Sequence, residues 1–314
     1  MRGFTVPTVQ ASHAIGVDLG GTKILAGVVA RDGSVVRRHE RATPQDSQDR
    51  VVAELEAAVA ELLDESVAAV GIGAPSPIDQ KRGIVVECVN LPLVEEPLRD
   101  HMRERFGVAV GIDNDANAAA IGEWRAGAAR GVDDVVMLTL GTGLGGGVIS
   151  GGVPFRGRDG AGAELGHVVI VRDGIPCQGV CAGRGHLEAY TTGLAAGHRA
   201  QETFGPAADA HRLVRLADEG DATAREILAD IGRHLGSGMG SFVNIFGPEL
   251  VVIGGGFGVA AWDYLVESAT DVMRRESLRP MRDSVRVVRA ELGTAAGLIG
   301  AAFVGFEALD ASAP

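Results

Sequence analysis

Asp18-Leu-Gly-Gly21, set in "GVDLGGTKILAG", is echoed by Thr139-Leu-Gly-Thr142, set in "DVVMLTLGTGLGGGVIS". In each, an apolar run meets a glycine turn and a second apolar run, the pattern of strand, tight turn and strand. A chain that opens both halves in this way is held to few architectures. The echo predicts duplicated α/β lobes facing one another across a cleft. The length agrees, since 314 residues exceed the size at which a single core usually stops growing.

The remaining elements fit that frame. "RDGS" turns the second strand into a third, and helical spacing of Val51, Val52, Leu55, Val59, Leu62 and Leu63 predicts a helix over 47–64, capped by Asp46 or Ser47. "VAAVGIGAP" reads as a buried strand. A helix is predicted from about Glu95 to Phe106, then a strand, "VAVGID", that delivers Asn114 and Asp115 into the next helix. Asp221 caps a helix with apolar positions Ile227, Ile231, Leu235 and Met239; "ELVVIGGGFG" is a strand entering a glycine turn; "GTAAGLIGAAFVGFEAL" is an apolar closing helix.

Composition narrows the function classes. A formal charge of -12 and a pI near 5.1 argue against nucleic acid or a membrane as partner, because phosphate binding needs clustered Lys and Arg. The leader "MRGFTVPTVQASH" lacks the apolar run of a signal peptide, so a short disordered leader on a cytoplasmic protein is expected. The uncharged stretch Val135–Phe155 has membrane-spanning length, but seven glycines break it, and no transmembrane segment is predicted. Three cysteines make a poor disulfide framework, and Cys88 reads as a small core residue.

Several groups carry possible chemistry. Glycine hairpins expose backbone N–H groups to anionic oxygens, and two of them joined by a third run, Gly254 to Gly258, could surround a nucleotide. Neither hairpin matches the Walker A or dinucleotide pattern, since each joins strand to strand. Asp115, at a strand–helix junction, is either a general base in phosphoryl transfer, with Asn114 holding the acceptor, or a helix cap aided by Asp113 or Asn117. Glu164 and Glu188 suit paired sugar hydroxyls, or surface ion pairs. His167, Cys177, Cys181 and His186 offer two thiolates and two imidazoles, a donor set for tetrahedral zinc, although His186 could instead be a polar contact.

These motifs together resemble the ROK family (repressors, open reading frames and sugar kinases). Ordered along the chain, "GVDLGGTK", "GIGAPSPID", "NDANAAAIGE", "LGTGLGGG", "AELGH" and "NIFGPELVVIGGG" are similar to its two phosphate motifs, sugar loop, catalytic segment, sugar and metal segment and adenosine segment. The resemblance implies an α/β, two-lobed hexokinase and actin-like (ribonuclease H-like) ATPase fold with a cleft between the lobes. A small lobe would comprise 1–117 plus 294–314, and a large lobe 118–293 with a zinc loop. It implies an ATP-dependent hexose kinase, with glucose as leading acceptor, phosphorylated at its 6-hydroxyl. Asp115 would be the base. Asn114, Glu164, His167, Glu188, Pro75 and Ser76 would contact the sugar. Asp18, Gly20, Gly21, Thr22, Lys23, Gly141, Thr142, Gly143, Gly254, Gly255 and Gly256 would hold ATP and its Mg²⁺, with Asp18 near the ion. His167 would ligate structural Zn²⁺ with Cys177, Cys181 and His186, and a homodimer is implied.

The chain departs from the family pattern in two places. Against the zinc signature C-x-C-G-x-x-G-C-x-E, His186 replaces the last cysteine and Cys177 lies two residues early; Ser76 replaces a glycine after Pro75. Other acceptors (fructose, mannose, N-acetylglucosamine, N-acetylmannosamine) and polyphosphate as donor are alternatives. A sugar-responsive regulator is a further one, disfavoured because only fourteen residues precede Ile15, too few for a helix-turn-helix domain.

Overall fold

A computed structural model describes residues 12–312, so most of the leader lies outside the described residues. The chain divides into two compact units, one running to Gly122 and resuming at Gly297, the other Glu123–Ala296.

The first unit is built on strands β1 (His13–Leu19), β2 (Lys23–Ala30), β3 (Val35–Ala42), β4 (Val67–Ala74) and β8 (Ala109–Asn114), in the order β3-β2-β1-β4-β8. The first three are antiparallel; β1, β4 and β8 are parallel. A smaller sheet comprises β5 (Ile78–Asp79), β6 (Ile84–Glu87) and β7 (Val94–Glu96). Helices α1 (Gln48–Leu62), α2 (Leu98–Phe106), the start of α3 (Asp115–Ala126) and most of α11 (Ala296–Ser312) complete the unit. Ser47 caps α1 by accepting the Arg50 N–H.

The predicted helix start at Glu95 is corrected. Glu96 pairs with Val85 in the small sheet, Glu95 has a φ of 49°, and α2 begins only after Pro97. A residue before proline is driven out of the helical region, which places the break where the structure has it.

Four glycines set how α11 packs. Gly27, Gly16, Gly71 and Gly111 pair in one row across β2, β1, β4 and β8. A Cβ at Gly16 would lie 2.0 Å from Leu298 O, one at Gly71 1.7 Å from Ala301 O, and one at Gly111 2.4 Å from Val304 O. The row is a groove that admits the backbone of α11 itself. The segment Gly293–Ser312 is long and apolar enough to cross a membrane by length and composition, yet half of its most apolar window is buried in the protein. Packing on the glycine groove accounts for its apolar character.

The second unit repeats the sheet plan. Strands β9 (Val135–Leu140), β10 (Leu144–Ser150), β11 (Val153–Pro154), β12 (Leu250–Gly254) and β13 (Arg286–Arg289) run in the order β11-β10-β9-β12-β13. Again three are antiparallel, and β9, β12 and β13 are parallel. Its helices are α4 (Glu188–Thr191), α5 (Gly193–Phe204), α6 (Ala210–Asp218), α7 (Ala222–Phe246), α8 (Gly256–Ala260), α9 (Trp262–Glu276) and α10 (Met281–Ser284). Asp221 caps α7 through Ala224 N. Gly232, Gly236 and Gly240 line one stripe of α7, where Cβ atoms would meet Leu265 O at 2.6 Å, Ala269 O at 2.4 Å and Glu276 Cβ at 2.8 Å. The repeated strand, turn and strand of the sequence is thus a repeated five-stranded sheet.

Candidate active site

Parallel strands bring the first unit's candidates to one edge. Asp18 pairs with Gly73, and Gly73 with Asp113, so Asp18, the loop holding Pro75 and Ser76, and Asn114 with Asp115 all leave carboxyl ends of neighbouring strands. Open α/β sheets bind ligands at that end.

The β8–α3 junction carries both a helix cap and the candidate base. Asn114 Oδ1 accepts the Ala116 and Asn117 N–H groups at 2.9 and 3.2 Å, the work of an N-cap. Asp113, wholly buried, accepts from Asn114 N at 2.8 Å and from Asn117 Nδ2 at 3.2 Å. Asp115 Oδ1 accepts from Ala116 N at 2.8 Å. Asn114 reaches both helix donors while Asp115 shares only the Ala116 N–H, so the cap does not depend on Asp115 alone. Ser76 is buried; its hydroxyl donates to Pro77 O at 2.9 Å and accepts Glu87 N at 3.1 Å, which commits it to the shape of its loop. Cys88 packs in the apolar cluster below, and burial pushes its thiol up to about 11.

The first glycine turn is braced by residues the sequence did not single out. Thr43 Oγ1 donates to Gly20 O at 2.8 Å and Gln45 Nε2 donates to Gly21 O, fixing the peptide planes of the turn from the end of β3. Lys23 pairs with Glu40 at 2.8 Å. Burial raises the Asp18 carboxyl above the usual carboxylate range, and Lys23 partly lowers it. A Cβ at Gly297 would come within 2.6 Å of Asp18 Oδ2, so the α11 backbone crowds this carboxylate. A half-desolvated oxygen ligand of this kind suits a hard divalent cation such as Mg²⁺.

In the second unit Gly141 N donates to Gly143 O at 2.9 Å, and Gly193 N donates to Gly141 O at 2.8 Å. Thr142 stands at the tip of that turn. Gly254 pairs with Thr139 across β12 and β9. At Gly255 the φ is 79° and a Cβ would lie 2.4 Å from Leu140 O, so both backbone and space demand glycine there. Gly256 opens into free space at the start of α8.

Glu164 precedes and His167 ends a single 3₁₀ turn, Leu165–His167. Although Glu164 is exposed as a residue, loss of hydration around its carboxyl raises its pKa; His167 lowers it and Glu188 raises it further. Glu164 therefore lies close enough to His167 and to Glu188 to feel the charge of each.

The four proposed metal ligands converge. Their ligand atoms lie within 4.8 Å of one another. Tetrahedral zinc with bonds of about 2.05 Å to nitrogen and ~2.3 Å to sulfur separates two nitrogens by ~3.3 Å and a nitrogen from a sulfur by ~3.6 Å. His167 Nδ1 and His186 Nδ1 are 3.3 Å apart, Cys181 Sγ and His186 Nδ1 3.6 Å, and Cys177 Sγ and His167 Nδ1 3.8 Å. These residues fit zinc, despite the displaced Cys177 and the substituted His186.

Sequence reasoning also passed over Glu123, which closes the "NDANAAAIGE" segment. It is fully buried and accepts Ala128 N at 2.8 Å, Glu291 N at 3.1 Å and Leu292 N at 2.8 Å. It ties the end of α3 to the segment that leads into α11. A carboxylate has the lone pairs to take three donors in this way, and the single glutamate of an alanine-rich helix was the available signal.

Comparison with known proteins places this geometry. The sequence pattern of the ROK family matches residues 14–306. A glucokinase of Streptomyces coelicolor is 34% identical over 308 residues, covering 92% of this chain and 96% of that one. The ROK hexokinase of Thermus thermophilus superposes with a TM-score of 0.83 at 35% identity, covering 96% of this chain and all of that one. A ROK family glucokinase from Streptomyces griseus, solved with glucose and AMPPNP, gives 0.80 at 37% identity, covering 94% and 99% of the two chains. With the family's pattern running along nearly its whole length, the chain belongs to the ROK family.

Proposed function

We propose that this chain is an ATP-dependent hexose kinase that transfers the γ-phosphoryl group to the 6-hydroxyl of glucose. The observation that carries the reading is the carboxyl edge of β1, β4 and β8, where Asp18 and Asp115 leave two parallel strands of one sheet while Asn114 and Asp113 do the structural work beside them. Asp115 accepts the proton of the attacking hydroxyl as the oxygen–phosphorus bond forms and ADP departs. Asn114 and the Pro75–Ser76 loop shape the acceptor side. Glu164 and Glu188 accept hydrogen bonds from sugar hydroxyls, which orients the ring. His167, turning Nδ1 toward the metal ligands, presents Nε2 to the sugar, and a ligated imidazole cannot rotate away.

In the turns from Gly20 to Lys23 and from Gly141 to Gly143, the Gly20 and Gly141 N–H groups close the turns themselves. The N–H groups of Gly21, Thr22, Thr142 and Gly143 at the tips are offered to phosphate oxygens, while Gly254, Gly255 and Gly256 leave room for the nucleoside. Asp18 would hold the Mg²⁺ that accompanies ATP, and the ion would supply positive charge to the developing phosphate. Zinc held by His167, Cys177, Cys181 and His186 fixes the loop structurally. A cytoplasmic homodimer accompanies this reading.

Two measurements test it. A coupled assay over glucose, fructose, mannose and their N-acetylamino relatives should give the highest kcat/KM with glucose, and ATP should outperform polyphosphate. Absence of turnover with every hexose would reject the kinase, and preference for another sugar would reassign the acceptor. Elemental analysis should find stoichiometric zinc, and its removal by chelation should lower the melting temperature by at least about 5 °C. A folded, active protein free of bound metal would leave the four ligands without that role.

A further inference from the structure

The metal loop reaches the second glycine turn through two side chains that carry no metal. Glu188 Oε2 accepts the Leu144 N–H at 2.9 Å, at one end of the turn, while its Oε1 lies 3.8 Å from the Cys177 sulfur. Gly143 leaves the space for this: a Cβ there would stand 2.9 Å from Glu188 Oε2. Gln178, next to Cys177, donates from Nε2 to Glu188 O at 3.3 Å and to Thr192 Oγ1 at 2.7 Å. Thr192 is wholly buried and caps α5, and the neighbouring Gly193 N donates to Gly141 O at the other end of the turn. The contacts close a ring: Gly141, Gly193, Thr192, Gln178, Glu188, Leu144.

We propose that Gln178 and Glu188 are positioning residues for the nucleotide, joining the metal loop to both ends of the Gly141–Leu144 turn so that ATP affinity depends on an intact loop. The inference rests on the reading of that turn as a phosphate site. It adds to Glu188 a task distinct from any sugar contact, since one carboxylate oxygen is committed to the turn. It also gives Gln178, which has no substrate role, an effect on substrate binding. A turn held at both ends keeps its amides in place before ATP arrives, so less ordering is required on binding.

The test measures Mg²⁺-AMPPNP affinity by calorimetry without sugar, on metal-loaded wild type, Gln178→Ala, Glu188→Ala and Glu188→Gln. Loss of the charge-assisted bond to Leu144 N should weaken AMPPNP about tenfold in Glu188→Ala, and Gln178→Ala should show a loss of roughly threefold or more. Glu188→Gln keeps a carbonyl acceptor and should recover most of the nucleotide affinity. Hydrogen exchange over residues 140–146 should quicken in Gln178→Ala while its zinc content stays unchanged, and should quicken in the chelated wild type as well. Should Glu188→Ala fail to fold, Gln178→Ala and the exchange readout decide alone. Variants that bind AMPPNP as wild type does, with unchanged exchange, overturn the inference and leave the kinase reading intact. A wild type that binds no AMPPNP removes the nucleotide reading of the turn, and this inference with it.

Discussion

Asp115→Asn is expected to lower kcat by roughly 10²- to 10⁴-fold, the usual worth of a positioned general base, with the glucose dissociation constant held within about threefold. The substitution is informative because of its neighbours. Asn114 Oδ1 already takes the Ala116 and Asn117 N–H groups, and Asp113 supports Asn114 and Asn117 from inside the unit. An asparagine at 115 can still accept the Ala116 N–H through its amide oxygen. Helix, cap and shape therefore survive, and the lost property is the capacity to accept a proton. The coupled assay should be paired with a thermal melt, where Asp115→Asn should match wild type closely. Full activity in Asp115→Asn would remove the base from this residue. Asn114→Ala, unlike Asp115→Asn, should lose about 1 kcal/mol of stability as the cap is lost.

The sequence made legible what depends on local pattern. Both strand–turn–strand units, the caps Ser47 and Asp221, and the junction that carries Asn114 and Asp115 follow from periodicity and turn chemistry within a few residues of one another. The start of α2 differs from the predicted Glu95 for a local reason too, since Pro97 drives Glu96 out of the helical region. The remainder required knowledge of which strands pair. Thr43 and Gln45 brace the first turn only because β3 returns beside β2. Glu123 reaches Glu291 and Leu292 across a separation that no spacing rule spans. Gln178 acquires its role only through Glu188 O and Thr192 Oγ1, acceptors ten and fourteen residues away.

The glycine row tests the same distinction energetically. Gly71→Ala is expected to destabilise the protein by upward of about 3 kcal/mol, beyond the ordinary range for overpacking by a single methyl. The new Cβ would stand 1.7 Å from Ala301 O and 2.6 Å from Gly305 N, both backbone atoms of α11. No rotamer change relieves such a contact, so the helix must lift from the sheet and give up the burial of Leu298, Ala301 and Ala302, each now shielded from water. Gly197→Ala is the control with the opposite sign. Gly197 lies inside α5, where the nearest atom to a new Cβ is Ala210 N at 3.7 Å, an ordinary contact. Alanine there costs no close approach and limits the unfolded chain, so a gain of about 0.5–1 kcal/mol is expected. Chemical denaturation of the two variants measures both effects. Equal stabilities would mean that α11 shifts freely over the sheet, and the in-register glycines of β1, β2, β4 and β8 would then lose their explanation as a groove for its backbone.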